Sequence, residues 1–99
     1  MELERNENTL TVRIRRDFNL MAVRHMEYHL DDAARCRIDL SQARLVDTEG
    51  IMALCRLQAQ DIDIVLLEPP DIFREILELL ALEEQFDIEM LVERERSAR

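Results

Sequence analysis

The sequence predicts a single α/β domain built on a mainly parallel sheet of four to five strands with helices packed against it. Three observations predict it. Strand-like and helix-like segments alternate along the chain at the spacing of repeated strand–helix–strand units, which join parallel strands by right-handed crossovers. The segment Ile62–Leu67, apolar at every position but Asp63, reads as a strand buried on both faces. The 99 residues are 47% apolar, enough for one core and too few for a second.

The elements follow in order. Leu10, Val12 and Ile14 alternate with Thr11, Arg13 and Arg15, the period of a half-buried strand. The polar Asn6-Glu7-Asn8 ahead of it is turn-prone and joins it to an earlier short strand at Glu2–Arg5, as a hairpin. Asp17 and Asn19 are both candidate caps for a first helix of about four turns, whose buried stripe is Val23, Met26, Leu30 and Ala33. Asp31-Asp32 near its end opposes the helix dipole and favours an early stop.

Cys36–Leu40 reads as the second main strand. Ser41–Val46 reads as a loop that re-enters the core. A second helix is expected to start near Asp47-Thr48, carrying Ile51, Met52, Leu54, Cys55 and Leu57. After the strand Ile62–Leu67, Pro69-Pro70 ends the extended run, and Pro70 suits the first turn of a third helix with Ile72, Phe73, Ile76, Leu77 and Leu80 on its apolar stripe. A last strand is expected over Phe86–Val92, with a frayed charged tail over residues 93–99. Met21, Met26, Met52 and Met90 fall on apolar positions and read as core filler.

Charge narrows the function. Acidic residues outnumber basic ones 22 to 13, for a net charge of −9. That disfavours nucleic acid, whose binding depends on cations that displace counterions, and anionic membrane surfaces. All 13 basic residues are Arg, whose planar fork suits bidentate carboxylate pairing. No apolar run approaches the roughly 20 residues of a membrane span. The opening Met1-Glu2-Leu3-Glu4-Arg5 lacks the basic start and apolar middle of a secretory signal, so the expected compartment is the cytoplasm.

Chemical motifs are sparse. Cys36 and Cys55 lie in apolar segments and read as reduced, buried thiols; a disulfide would require facing Cβ atoms. His25 and His29 are spaced i, i+4, which suits two metal ligands, yet no further ligand accompanies them, and surface histidines are expected. Asp61-Ile62-Asp63 and Leu82-Glu83-Glu84 read as solvated faces. No phosphate-binding Gly-rich loop or nucleophile elbow is present, so neither an enzyme nor a cofactor is expected.

The informative stretch is residues 38–54, Ile38-Asp39-Leu40-Ser41-Gln42-Ala43-Arg44-Leu45-Val46-Asp47-Thr48-Glu49-Gly50-Ile51-Met52-Ala53-Leu54. A strand ending in Asp-Leu, a short loop, an apolar residue, then an acidic–hydroxyl–x–Gly tetrad opening an apolar helix resembles the signature of the STAS family of anti-sigma-factor antagonists. The order of elements extends the resemblance over nearly the whole chain. It implies a STAS-like fold and docking onto an anti-sigma serine/threonine kinase or another signalling protein. In the family the first Ser of the signature is phosphorylated by that kinase, and Thr48 occupies its position with a hydroxyl. Glu49 stands where the family has a second Ser, and Gly50-Ile51-Met52 replaces the usual Gly-Leu-Gly.

The physical logic at Thr48 is independent of the resemblance. A helix N-terminus leaves amide protons unpaired and favours an anion. A phosphate on Thr48 would add about 1.5 to 2 negative charges beside Asp47 and Glu49. Asp47 or Thr48 is also an ordinary helix cap. The expected docking surface comprises the loop Ser41–Val46 with Arg44, then Asp47, Thr48, Glu49 and Gly50, and the exposed side of the second helix including Arg56, with Gly50 admitting a partner's backbone. A different class of role is a constitutive subunit of a larger assembly, such as a stressosome-like scaffold or a lipid-transport complex, including self-association. A small-molecule sensor would require a pocket that sequence does not reveal.

Overall fold

In the computed structural model, residues 1–90 are described. They comprise β1 (Glu2–Asn6), β2 (Thr9–Arg13), β3 (Asp17–Phe18), α1 (Leu20–Tyr28), β4 (Arg35–Asp39), β5 (Leu45–Val46), α2 (Thr48–Gln58), β6 (Asp63–Leu67), α3 (Asp71–Leu79) and β7 (Asp87–Glu89). Five strands make the main sheet in the order β1-β2-β4-β6-β7. β1 is antiparallel to β2, and every other neighbouring pair in that sheet is parallel. The expected hairpin and α/β sheet are therefore both present.

The three crossovers all step the same way across the sheet, so right-handed connections place α1, α2 and α3 on one face. Alternation then sorts the side chains. Leu10, Val12, Cys36, Ile38, Ile64 and Leu66 point into the helix-covered core, where Phe18 and Phe73 meet at 5.1 Å between ring centroids. Such an aromatic contact adds about 0.5–1.5 kcal/mol beyond the area it buries.

The opposite face bears no helix among the described residues. Arg13 pairs there with Glu2 and Asp39, Arg35 with Asp63, and Arg37 with Glu89. Val65 and Leu67 of β6 are buried on this side nonetheless. Ile62–Leu67 thus contains a strand buried on both faces as expected, although only one face is covered by helices.

Several local expectations are corrected. α1 spans nine residues rather than about four turns. Leu30 and Ala33 are buried in the turn beyond it, where Asp31 adopts a left-handed conformation with φ of 48°. Asp tolerates that region, and the acidic pair lies at the wrong end of the dipole for a helix to continue. Arg5 then bonds Asp32 and holds its carboxyl below the usual range through that hydrogen bond.

Asn19, not Asp17, caps α1: its side chain accepts the Ala22 N–H at 2.9 Å. Asp17 belongs to β3, which pairs in parallel with β5 as a separate two-stranded ribbon. The end of the expected loop Ser41–Val46 is therefore a strand. Pro70 is the residue before α3 rather than inside its first turn. Phe73 and Leu77 of the expected stripe are buried, whereas Ile72 and Leu80 are exposed. Cys36 is a buried free thiol, but Cys55 is only half-buried. Met26 is core, Met90 is half-buried, and Met21 and Met52 are exposed rather than core filler. β7 covers the middle of the expected Phe86–Val92 strand; residues 91–92 and the 93–99 tail lie outside the described residues.

Candidate functional site

The chain reaches the start of α2 through a series of backbone anchors. β4 ends at Asp39, whose carboxylate accepts the Ser41 N–H at 3.0 Å and turns the chain. Leu40 N–H donates to Leu67 C=O at 2.9 Å, and Ala43 is buried, so the loop does return to the core. Arg44 N–H donates to Arg16 C=O at 2.7 Å, which begins the β3–β5 ribbon. Asp47 N–H then donates to Phe18 C=O at 2.9 Å. The helix start is tied to the start of α1 before its first turn forms.

Asp47 is the N-cap, with extended φ and ψ of −107° and 131°. Its side-chain oxygen accepts the Glu49 N–H at 2.9 Å, and its carbonyl accepts from Gly50 at 3.0 Å and Ile51 at 3.3 Å. The positive end of α2 is thus already held by the chain's own carboxylate. The expected cradle of spare amides narrows to the Thr48 N–H, which has no partner among the described residues. A phosphate on Thr48 would therefore face outward beside two carboxylates, rather than being absorbed by the helix end.

Thr48 itself is exposed, as are Asp47 and Glu49. Positions four apart on a helix lie above one another, so Thr48, Met52 and Arg56 form one exposed line along α2. Ile51, Ala53, Leu54 and Leu57 occupy the buried side.

Gly50 is buried, and the close approach it permits is internal. A Cβ there would lie 2.9 Å from the Asn19 carbonyl carbon and 2.9 Å from Phe18 Cε2. In place of the expected contact with a partner's backbone, the first turn of α2 packs at Gly50 against Phe18 of β3 and Asn19, the N-cap of α1. That packing places three exposed apolar side chains in the segments around the helix starts: Met21 at 68% exposure, Leu45 at 65% and Met52 at 46%. Leu45 lies in the segment Ser41–Val46 that the sequence already offers as surface, whereas Met21 reads as core filler because helical periodicity accepts it as a core position.

The remaining candidates are elsewhere or chemically quiet. Arg44 is exposed one residue before β5, and Arg56 lies at the far end of the Thr48 line. His25 on α1 and His29 at its C-cap are exposed, with ring centroids 5.0 Å apart. Among the described residues no group of three or more His, Cys, Asp or Glu side chains is placed to hold a metal. Burial pushes the Cys36 thiol up to about 12 and raises that of Cys55. No helix of the described residues is long and apolar enough to cross a membrane.

The family model described as "Mlab, STAS domain" matches residues 1–93. Among solved structures, the chain is similar to that of the anti-sigma factor antagonist SpoIIAA in its unphosphorylated form. The TM-score is 0.70 at 16% identity, covering 99% of this chain and 95% of that one, a likeness of fold. No match was found among curated proteins.

Proposed function

The chain belongs to the STAS family, and from that premise we propose that it is a regulatory docking protein of the anti-sigma-factor-antagonist type. It binds a partner anti-sigma kinase, or a related signalling protein, in the cytoplasm. Nucleotide and phosphotransfer chemistry belong to that partner. The observation that carries this reading is the exposed Thr48 hydroxyl in the first turn of α2, in line with exposed Met52 and Arg56.

The contact surface comprises Arg44, Asp47, Thr48, Glu49, Met52 and Arg56, with Gly50 setting its shape from beneath. Met is unbranched and polarisable, which suits a surface that adapts to a partner. Phosphorylation of Thr48 switches the contact off by like-charge repulsion and desolvation cost, without refolding, because Asp47 already occupies the Glu49 amide.

The test is incubation of the purified chain with its cognate kinase and ATP, followed by mapping of the phosphosite. Phosphothreonine at Thr48 is expected, together with at least a tenfold loss of kinase affinity in Thr48→Glu. An unmodified Thr48 combined with unchanged affinity of Thr48→Glu rejects the switch.

Glu49 supports a second reading, a constitutive subunit of a larger assembly. Its exposed carboxylate stands permanently beside Thr48, as a contact that never switches would allow. In that case Thr48→Val leaves assembly intact by gel filtration with the partner, whereas Met52→Asp breaks it.

A further inference from the structure

We propose that the cleft between the Arg15–Asp17 and Arg44–Leu45 segments is a docking site for an acidic segment of a partner protein carrying an apolar side chain. The proposal rests on the docking role given above and adds the chemistry of what is docked. Arg15, Arg16, Asp17, Arg44 and Leu45 line a cleft of about 540 Å³ at the C-terminal end of the sheet, beside the start of α2.

The two central arginines are unusually placed. Asp17 and Leu45 are paired in parallel, so Arg16 and Arg44, which precede them, are neighbours across the ribbon, joined by the Arg44 N–H to Arg16 C=O bond of 2.7 Å. Like charges facing each other across strands destabilise the pairing. Arg5, Arg13, Arg15, Arg35 and Arg37 each pair with a carboxylate, whereas neither Arg16 nor Arg44 forms an ion pair among the described residues.

With 22 acidic residues against 13 basic ones, carboxylates are plentiful, yet among the described residues the only one lining this cleft is Asp17, and it pairs with neither arginine. Arg15 is neutralised by Glu2 at 3.0 Å, and Asp17 leaves the cleft lining positive. Two arginines on neighbouring backbone positions, both lining the cleft, offer guanidinium forks that suit carboxylates bidentately. Leu45, 65% exposed on the same wall, supplies an apolar contact that a simple anion would not use. The rest of the molecule repels an acidic peptide, so the positive cleft both steers and positions it.

The test uses the full chain, ¹⁵N-labelled, titrated with a fluorescein-labelled dodecapeptide of Asp and Glu with one central Leu. Saturable shifts centred on Arg16, Arg44 and Leu45 are expected. So is a severalfold fall in affinity between 50 and 200 mM salt. Arg16→Gln/Arg44→Gln should lose at least tenfold in affinity. Leu45→Ala should lose a smaller factor, and Arg24→Gln/Arg74→Gln, with the same charge change, should bind as the parent does.

No saturable shifts, equal loss in the control variant, or inorganic phosphate at matched charge reproducing the same shifts would each overturn the proposal. The titration needs no kinase. Failure at Thr48 therefore leaves it interpretable, and failure here leaves the Thr48 test standing.

Discussion

Arg37 of β4 and Glu89 of β7 form an ion pair, Nη2 to Oε1 3.2 Å, although β6 lies between their strands. The register sets Arg37 beside Val65 and Glu89 beside Leu67. The two side chains therefore bridge β6 on the face that has no helix among the described residues. Long charged side chains cover apolar surface with their methylene stems, which keeps Val65 and Leu67 from presenting a bare patch.

That bridge is expected to contribute little net free energy. The two side chains are 33% and 40% exposed, and partly solvated pairs contribute roughly 0.2–1 kcal/mol. A double-mutant cycle of Arg37→Gln and Glu89→Gln, read by urea denaturation, should give a coupling in that range that shrinks in 1 M salt. A coupling well above it would mean that the pair is shielded from water.

Gly50→Ala should destabilise the fold although it places a better helix former in α2. The propensity gain is about 0.5–1 kcal/mol. Against it stands a Cβ 2.9 Å from the Asn19 backbone, which cannot rotate aside, and such overpacking costs about 1–3 kcal/mol. The net expectation is a loss of about 1–2 kcal/mol in urea denaturation, with helix content by circular dichroism unchanged.

Asn19→Ala and Asp47→Ala should each lose about 1 kcal/mol, because each leaves an amide at a helix start without its acceptor. Asp47→Ser should recover most of the loss, since a serine hydroxyl also caps. Thermal unfolding of the four proteins side by side measures both effects. Equal loss in Asp47→Ser would point to the carboxylate charge rather than the cap bond.

Cys36 should make stability fall at alkaline pH. Burial raises its thiol from an ordinary 9.0 to about 12, so the native chain keeps its proton where the unfolded chain has lost it. Stability then falls as pH rises above 9 and levels near 12, where both states are deprotonated. Cys36→Ala should be less stable at neutral pH but flatter over that window in urea denaturation. Half-buried Cys55 should react with an alkylating reagent at pH 8 well before Cys36 does.

The order of the main-sheet strands and the three helices, the hairpin, the doubly buried β6 and the helix start at Thr48 were legible in the residues, whereas the β3–β5 ribbon was not. Each legible feature is dictated by local periodicity, a capping residue or a proline. Contacts between distant segments were not legible. Met21 satisfies a helix pattern, but periodicity identifies a face and not whether anything covers it, and the pairing of Leu45 with Asp17 joins segments far apart in the chain. Gly50 could be recognised as needing close approach, yet the identity of the approaching group, Asn19, depends on how α1 and α2 cross.

The sequence by itself determined which segments become the strands of the main sheet and the three helices, and most of the apolar side of each, because both follow from interactions among residues near one another in the chain. Only the tertiary structure decided that Asp47 occupies its own helix end, that Arg16 and Arg44 stand opposed without an acid, and that Arg37 reaches over β6 to Glu89. The physical reason is that hydrogen bonds and charges act over a few ångströms. Which groups come that close is fixed by sheet order, register and helix packing rather than by spacing along the chain.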